Sequence, residues 1–201
     1  MKNVVLLGAA AKVGKYTYEF LKDNHDLNLT LVMRNPDKVY DQERTIIGDA
    51  LNLDNMIKAT KDADVVISTL GPRPMAEMAE NIIKAMDHNH VKRLIWTASL
   101  GIYGMAENID ADLGNPADAT TYLGDQRQAA DLLFDSDLEV TIVRPNWLTM
   151  ADVVEDLQID DRHTPTAKGQ ISRKSVGHFL ANLAVDDQQF INESPAITAK
   201  N

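Results

Sequence analysis

Short apolar segments alternate along the chain with longer segments of helical periodicity, and this alternation strongly constrains the fold. The apolar segments have the length of buried strands, are rich in β-branched residues or leucine, and are bounded by polar residues or glycine. The predicted strands are Val4–Leu7, Leu29–Met33, Thr45–Ile47, Val65–Ser68, Leu94–Thr97 and Val140–Val143. The predicted helices are Val13–Lys22, Leu53–Ala59, Met75–Met86, Thr120–Phe134 and Lys174–Val185. Such alternation predicts an α/β fold with a parallel sheet covered by helices on both faces.

The pattern changes after Arg144-Pro145. Residues 146–170 are acidic and loop-rich, and the final helix and a short strand near Phe190–Asn192 follow them. The 201 residues suffice for one well-packed core, and they include no Ser/Gly-rich linker and no internal repeat. We therefore predict a single domain over residues 1–201, in which about 146–170 form a small C-terminal extension.

Composition argues against several functional classes. The 30 acidic residues exceed the 20 Lys and Arg residues, and the formal net charge of −10 argues against a dedicated nucleic-acid-binding protein. No apolar segment approaches the ~18 residues of a membrane span, and we expect neither a membrane anchor nor a signal peptide. Cysteine is absent, which is typical of a reducing compartment, so we expect a cytoplasmic protein. His88 and His90 have no third partner at ligand spacing, so we expect no metal site.

The turn after the first predicted strand is a candidate anion site. It begins at Gly8 and leads through Ala11, Lys12 and Val13 to Gly14 inside the next helix. A turn of this form brings backbone N–H groups and a helix N-terminus to a pyrophosphate, and its last glycine permits close packing of helix on strand. Ala11 occupies the usual place of a middle glycine, which adds a Cβ where the backbone approaches phosphate. The alternative is a strand–glycine–helix turn that binds nothing.

The end of the second predicted strand indicates which dinucleotide such a turn would take. Arg34 lies twenty residues after Gly14, where an NAD-binding fold places an acidic residue for the ribose 2′-hydroxyl. A guanidinium suits a 2′-phosphate instead, and Lys12 and Lys38 would add positive charge. We therefore predict NADP(H) as cofactor in preference to NAD(H). The alternative is that Arg34 is only a solvated turn residue.

The motifs together resemble the atypical short-chain dehydrogenases, in particular the NAD(P)H-binding, NmrA-like and biliverdin-reductase-B-like branch. The resemblance covers nearly the whole chain and rests on these segments: Gly8–Gly14, Arg34–Pro36, Gly48-Asp49, Val65–Gly71, Thr97–Ser99, Thr141–Pro145 and Ile171–Val176. It implies a doubly wound Rossmann sheet with the dinucleotide laid across the carboxyl ends of the strands.

The resemblance also implies roles for individual residues. Asp49 would accept a hydrogen bond from the adenine amino group; its alternative role is to cap a helix over Leu51–Ala59, and both roles can hold at once. The edge of the fourth strand would contact the ribose and phosphates through Ser68, Thr69, Leu70 and Gly71. The segment Arg144-Pro145-Asn146-Trp147 would pass beneath the nicotinamide end.

Short-chain reductases use a tyrosine whose ionisation is assisted by a lysine four residues later, with a serine that polarises the carbonyl. Ser99 occupies the serine position, and Tyr122 lies at the start of the following helix. The residue four positions after Tyr122 is Gln126, and the nearest cation, Arg127, lies one residue further and so points to another side of the helix. The tyrosine–lysine pair is therefore broken.

Two functions remain open at this point. The first is an NADPH-dependent reductase of a small neutral carbonyl, quinone or flavin-like acceptor, with a hydrogen bond from Ser99 or from Tyr103 in a loop able to close over the nicotinamide. The second is a non-catalytic dinucleotide sensor that binds a protein partner. Acidic segments 107–118 and 152–161 would surround the substrate mouth and favour a neutral or cationic substrate. We expect a monomer in preference to a homodimer.

Overall fold

A computed structural model describes residues 1–72, 74–107 and 110–200. Its ten strands are β1 (Lys2–Leu7), β2 (Leu27–Met33), β3 (Thr45–Ile47), β4 (Val65–Ser68), β5 (Arg93–Thr97), β6 (Glu139–Pro145), β7 (Trp147–Thr149), β8 (Leu157–Asp160), β9 (Gln170–Ser172) and β10 (Ala196–Ala199). Its α-helices are α1 (Lys12–Leu21), α2 (Leu53–Thr60), α3 (Met75–His88), α4 (Tyr122–Phe134) and α5 (Arg173–Val185). None of these helices combines the length and apolar character that crossing a bilayer requires.

Eight strands form one sheet in the order β3-β2-β1-β4-β5-β6-β10-β8, and β7 pairs with β9 separately. All neighbours in the large sheet are parallel except β10 and β8. Helices α1 and α5 cover one face of the sheet, and α2, α3 and α4 cover the other. The predicted α/β fold with a doubly wound, mostly parallel sheet is confirmed.

Successive residues of the central strands enter two different cores. In β1, Val5 and Leu7 pack in the core beneath α2, α3 and α4, whereas Val4 and Leu6 pack in the core beneath α1 and α5. Neither face of these strands is open to solvent, so the strands are continuous apolar segments without polar alternation. This burial explains why the sequence alone located the central strands to within one or two residues at most ends.

The C-terminal part departs most from the sequence-based expectation. The strand predicted near Phe190–Asn192 is wrong, because Phe190 and Asn192 both have positive φ angles and the chain turns there. The last strand is instead β10, whose Ala196 pairs with Arg144 of β6. The segment 146–170 also contains β7 and β8, which are short and partly exposed and therefore lack a recognisable apolar period.

The strand order creates a crevice between β1 and β4. From β1 the chain passes to β2 and β3 on one side, and it then returns to the other side of β1 as β4. The loop after β1 leads to α1 on one face of the sheet, while the segment after β4 leads to α3 on the other face. Ligands of open α/β sheets bind where neighbouring connections diverge in this way.

Candidate functional site

The β1–α1 turn packs directly against the end of β4. Gly8 has a φ of +77°, and a Cβ added there would lie 3.0 Å from the carbonyl of Thr69. A Cβ on Gly14 would lie 2.5 Å from the Gly8 carbonyl oxygen and 2.8 Å from Thr69 Oγ1. The Thr69 hydroxyl donates back across the crevice, 3.1 Å from the carbonyl oxygens of both Leu7 and Gly8. The two glycines therefore let the turn and strand β4 meet backbone to backbone.

Among the residues that the structure describes, no side chain accepts from the first N–H groups of α1. Its N-cap residue is Ala11, whereas α2, α4 and α5 are capped by Asn52, Thr121 and Ser172. The first N–H groups of α3 donate to the Asp125 carboxylate at 2.8 and 3.2 Å. An uncapped helix N-terminus facing a crevice is suited to an anion such as a pyrophosphate. Ala11 has φ −68° and ψ 156°, so the alanine in place of the middle glycine carries no backbone strain.

A cavity of about 230 Å³ adjoins this turn on the side of β2 and β3. Arg34 and Lys38 bring two cations to its lining. Arg34 is exposed and forms no hydrogen bond or ion pair with any residue that the structure describes. Asp49 also lines the cavity, and its carboxylate accepts from the backbone N–H of Leu51 at 3.0 Å. The alternative role of Asp49 as a helix cap is wrong, because Asn52 caps α2.

A larger cavity of about 540 Å³ lies on the other side of the α1 N-terminus, and Ala11, Thr69 and Leu70 line both cavities. The two together form one groove over the carboxyl ends of the central strands. The larger cavity is lined on its far side by Ser99, Leu100, Tyr122, Gln126, Pro145, Asn146, Trp147 and Leu148. An elongated ligand bound at the helix N-terminus would thus extend into both cavities.

Three polar side chains of the larger cavity form a connected group. The backbone N–H of Ser99 donates to Gln126 Oε1 at 3.0 Å, and Gln126 Nε2 donates to the Tyr122 hydroxyl at 3.0 Å. The Ser99 hydroxyl lies 3.4 Å from the Tyr122 hydroxyl. Gln126 is only 4% exposed, so these hydrogen bonds fix the orientation of its side-chain amide. The neighbouring Arg127 points away, pairing with Asp131 at 2.7 Å, as the helical spacing predicted.

A family model described as NAD(P)H-binding matches residues 8–187. The chain belongs to the NAD(P)H-binding family. The match begins at the glycine that opens the β1–α1 turn and ends just beyond α5, so it includes the crevice and the polar group of the larger cavity. Membership of the NAD(P)H-binding family confirms the cofactor class that the motifs predicted.

Several solved structures share this fold over the whole chain. A Rossmann-fold NAD(P)-binding family protein from Shigella flexneri is 31% identical, with a TM-score of 0.83 and coverage of 100% of this chain and 97% of its own. A short-chain dehydrogenase/reductase from Veillonella parvula in complex with NADP is 22% identical, with a TM-score of 0.82 and coverage of 100% and 95%. The anaerobillin reductase ChuY from Escherichia coli O157:H7 is 19% identical, with a TM-score of 0.84 and coverage of 100% and 98%.

Among curated proteins, an isoflavone reductase homolog A622-like from Nicotiana tabacum is 32% identical over 105 residues. The aligned region covers 46% of this chain and 34% of that protein, so the chain matches only about a third of its curated relative. Together with the family match, these likenesses support the resemblance to the atypical short-chain dehydrogenases that the motifs predicted.

Most of the predicted site residues lie along the groove. Those in the lining of one or both cavities are Gly8, Ala11, Lys12, Val13, Arg34, Asp49, Thr69, Leu70, Gly71, Ser99, Tyr122 and Pro145. Gly14 lies behind the turn as a packing residue. Ser68 ends β4 fully buried, outside both linings, and its hydroxyl has no hydrogen-bond partner among the described residues. The individual roles of the groove residues stay predictions.

Arg144 and Tyr103 lie outside the groove, which corrects their predicted placement. Arg144 is 1% exposed and donates to backbone carbonyls of Leu100, Asp161 and Ser194. Burial lowers the pKa of this guanidinium. Side chains alternate along a strand, so a groove-facing Pro145 directs its neighbour Arg144 away from the groove.

Tyr103 belongs to a 3-10 helix over Leu100–Tyr103 and not to an open loop. Its ring centroid lies 5.0 Å from the Arg127 guanidinium and 4.9 Å from the Arg144 guanidinium. Its hydroxyl is buried without a hydrogen-bond partner among the described residues. We find Tyr103 in a packing position behind the larger cavity.

The acidic segments are only partly placed as expected. Glu107 and Asp110 line the larger cavity, but residues 152–161 do not. Asp152 pairs with Lys174 at 2.8 Å. Asp161 accepts from the backbone N–H groups of His163 and Thr164 at 2.7 and 2.8 Å, and these hydrogen bonds hold the pKa of its carboxyl below the usual range.

Gln126 and Arg173 line the larger cavity but were not among the predicted site residues. In the sequence, Gln126 was considered only as the residue that stands in place of the expected lysine. Its spacing of four from Tyr122 nevertheless predicts a contact on the same helix face. Arg173 enters the lining from the start of α5 and donates to the carbonyl oxygens of Leu148 and Thr149 at 3.1 and 2.9 Å. These long-range contacts have no local sequence signal.

Proposed function

We propose that the protein is an NADP(H)-dependent reductase of a small neutral carbonyl, quinone or flavin-like acceptor. The observation that carries this proposal is the Ser99–Tyr122–Gln126 group in the lining of the larger cavity, beside the uncapped N-terminus of α1. Two hydroxyl groups at the end of a nucleotide groove are what a carbonyl reductase needs to bind and protonate the acceptor oxygen. The names of the structural neighbours, an anaerobillin reductase among them, support the same reaction class.

The groove fits the dinucleotide in two respects. The Gly8–Gly14 turn has no Cβ where the backbone meets Thr69, and the first N–H groups of α1 have no side-chain acceptor in the described part of the chain. These features would hold the pyrophosphate, leaving the adenosine in the smaller cavity and the nicotinamide in the larger one. When bound, the reduced nicotinamide supplies a hydride.

The chain's own residues would position the acceptor and supply its proton. Ser99 and Tyr122 would donate to the acceptor oxygen, and Pro145 and Trp147 would form apolar walls that exclude water. Preference for NADP(H) rests on Arg34 and Lys38, which line the smaller cavity and suit a 2′-phosphate. The neighbour from Veillonella parvula, solved with NADP, supports this preference.

Two measurements test the proposal. Fluorescence titration with NADPH and NADH should give tighter binding of NADPH, and equal or tighter binding of NADH would refute the predicted cofactor preference. A steady-state screen of NADPH oxidation with aldehydes, quinones and flavins should give saturable turnover that Ser99→Ala and Tyr122→Phe both reduce. Tight NADPH binding without turnover on any acceptor would favour a dinucleotide sensor instead.

A further inference from the structure

We propose that Gln126 is a positioning residue that orients Tyr122 as a neutral proton donor, with its O–H directed away from α4 and toward the larger cavity. The catalytic consequence rests on the proposed reductase function. The orientation itself follows from the polarity of three hydrogen-bonding groups, and the coupling between positions 126 and 122 can be measured without any turnover.

The orientation of the Gln126 amide is set by its contact with the backbone. The Ser99 N–H can only donate, so the amide atom 3.0 Å from it must be the acceptor Oε1. The other end of the amide, Nε2, is therefore the atom that lies 3.0 Å from the Tyr122 hydroxyl oxygen. An amide NH₂ group has no acceptor capacity, so Gln126 donates and Tyr122 accepts.

This polarity decides where the phenolic proton points. Tyr122 has a single O–H, and that proton cannot be directed at a group that is itself a donor. The Ser99 hydroxyl, 3.4 Å away, is the other polar side chain near the phenol in the described part of the chain. The Ser99 hydroxyl donates to the Tyr122 oxygen as Gln126 does, so the Tyr122 proton is left for a ligand in the cavity that both residues line.

A glutamine at this position supplies the hydrogen bond of a lysine without its charge. A lysine would both orient the tyrosine and favour its ionised form, whereas the neutral amide only orients it. Other charges also face the cavity, since its lining includes Lys12, Glu107, Asp110 and Arg173. Any measured ionisation of Tyr122 must therefore be compared between variants that differ only at position 126.

The reduction balances with Tyr122 as the proton donor. Bound NADPH would supply the hydride, with its electron pair, that the acceptor carbon takes up, and Tyr122 would supply the proton to the acceptor oxygen. The acceptor C=O would thereby become CH–OH, with NADP⁺ as the other product. The phenolate left on Tyr122 accepts the Gln126 N–H until water returns a proton to it.

The test is a pH titration of Tyr122 in the full chain labelled with ¹³Cζ-tyrosine, with Tyr122→Phe identifying the signal. Gln126→Lys should lower the titration midpoint by about 1 pH unit or more, and Gln126→Glu should raise it by a similar amount. Gln126→Glu keeps the acceptor for the Ser99 N–H, so it retains the local fold. Gln128→Glu, which adds the same charge at an exposed position of α4, is the matched control and should leave the midpoint unchanged.

Activity provides a second readout. With NADPH and 4-nitrobenzaldehyde as probe, Gln126→Glu should lower kcat at least tenfold with NADPH affinity retained, because its carboxylate takes the Tyr122 proton. Gln126→Lys should move the pH profile of kcat to lower pH. Midpoints that stay within about 0.3 pH unit in both variants would overturn the inference even if turnover is found. Shifted midpoints without turnover on any acceptor would instead sustain the positioning role and refute the reductase function.

Discussion

Gly14 packs so closely on Gly8 that a Cβ on residue 14 would lie 2.5 Å from the Gly8 carbonyl oxygen. Gly14→Ala should therefore force the β1–α1 turn away from Thr69. We expect a loss of about 1–3 kcal/mol in the free energy of unfolding, measured by denaturant titration, together with weaker NADPH binding. Gly71→Ala is the control for stability alone, because a Cβ there meets no atom within 4 Å whereas Gly71 itself lines the smaller cavity. Equal stability of the two variants would contradict this account of the turn.

Arg34 should determine the choice between the two dinucleotides. Arg34→Asp removes a guanidinium and places an acid where the ribose 2′-hydroxyl of NADH would lie. We expect about tenfold to a hundredfold weaker binding of NADPH, with NADH affinity unchanged or improved, measured by fluorescence titration. Lys61→Asp, an equal charge change at an exposed residue beyond α2, should affect neither. If Arg34→Asp weakened the binding of NADPH and NADH equally, the effect would be a general electrostatic one and not recognition of the 2′-phosphate.

The two tyrosines near Ser99 should behave in opposite ways. Tyr122→Phe removes a hydroxyl from the cavity, and we expect kcat to fall by about 10²–10⁴-fold. Tyr103→Phe should leave kcat unchanged and maintain or raise the thermal midpoint, because its buried hydroxyl has no partner among the described residues. The measurements are steady-state kinetics and thermal unfolding. A large loss of kcat in Tyr103→Phe would indicate that Tyr103 has a catalytic role after all.

Arg144 should matter for stability rather than for cofactor affinity. Arg144→Ala removes the donor to the buried carbonyl oxygen of Ser194 and to the partly buried carbonyl oxygens of Leu100 and Asp161, so we expect a loss of about 3 kcal/mol in the free energy of unfolding. Arg127→Ala, which removes an exposed ion pair within α4, should cost less than about 1 kcal/mol. If Arg144→Ala instead weakened NADPH binding at unchanged stability, a direct role in binding would be indicated.

Tyr40 should make the protein less stable at alkaline pH. Its hydroxyl donates to the Ala9 carbonyl oxygen at 3.0 Å, and burial, followed by the charges of Tyr18, Glu19 and Asp41, raises its pKa far above the usual value. The folded state therefore holds the phenolic proton more tightly than the unfolded state does. Its stabilisation is complete below the unfolded pKa of about 10 and is lost as pH rises toward the folded pKa.

Free energies of unfolding measured between pH 8 and 11 test this prediction. The wild type should lose stability above about pH 10, and Tyr40→Phe should lose less. A residual decline is expected from Tyr18, whose pKa burial and the hydrogen bond to Asp41 also raise. Identical pH dependence of wild type and Tyr40→Phe would exclude Tyr40 as the cause.

The sequence by itself determined the central sheet, the β1–α1 turn and the cofactor class. Buried parallel strands are continuous apolar segments because both of their faces are covered, and amphipathic helices have a period of about 3.6 residues. Both kinds of element can therefore be recognised from the local sequence. The turn can be recognised because Gly8 and Gly14 occupy positions that exclude a side chain. Arg34 follows Gly14 at the spacing that is characteristic of dinucleotide-binding folds.

Only the tertiary structure decided which polar residues face the groove. Arg144 and Tyr103 resembled site residues, but their surroundings come from segments 17 to 50 residues away or from another helix. In the sequence, Gln126 marked only the absence of the expected catalytic lysine. Its contact with the Ser99 backbone, 27 positions distant, determines the orientation of its side-chain amide. Periodicity records which face of an element is buried, whereas the partners of a buried polar group depend on chain segments that meet only in the folded protein.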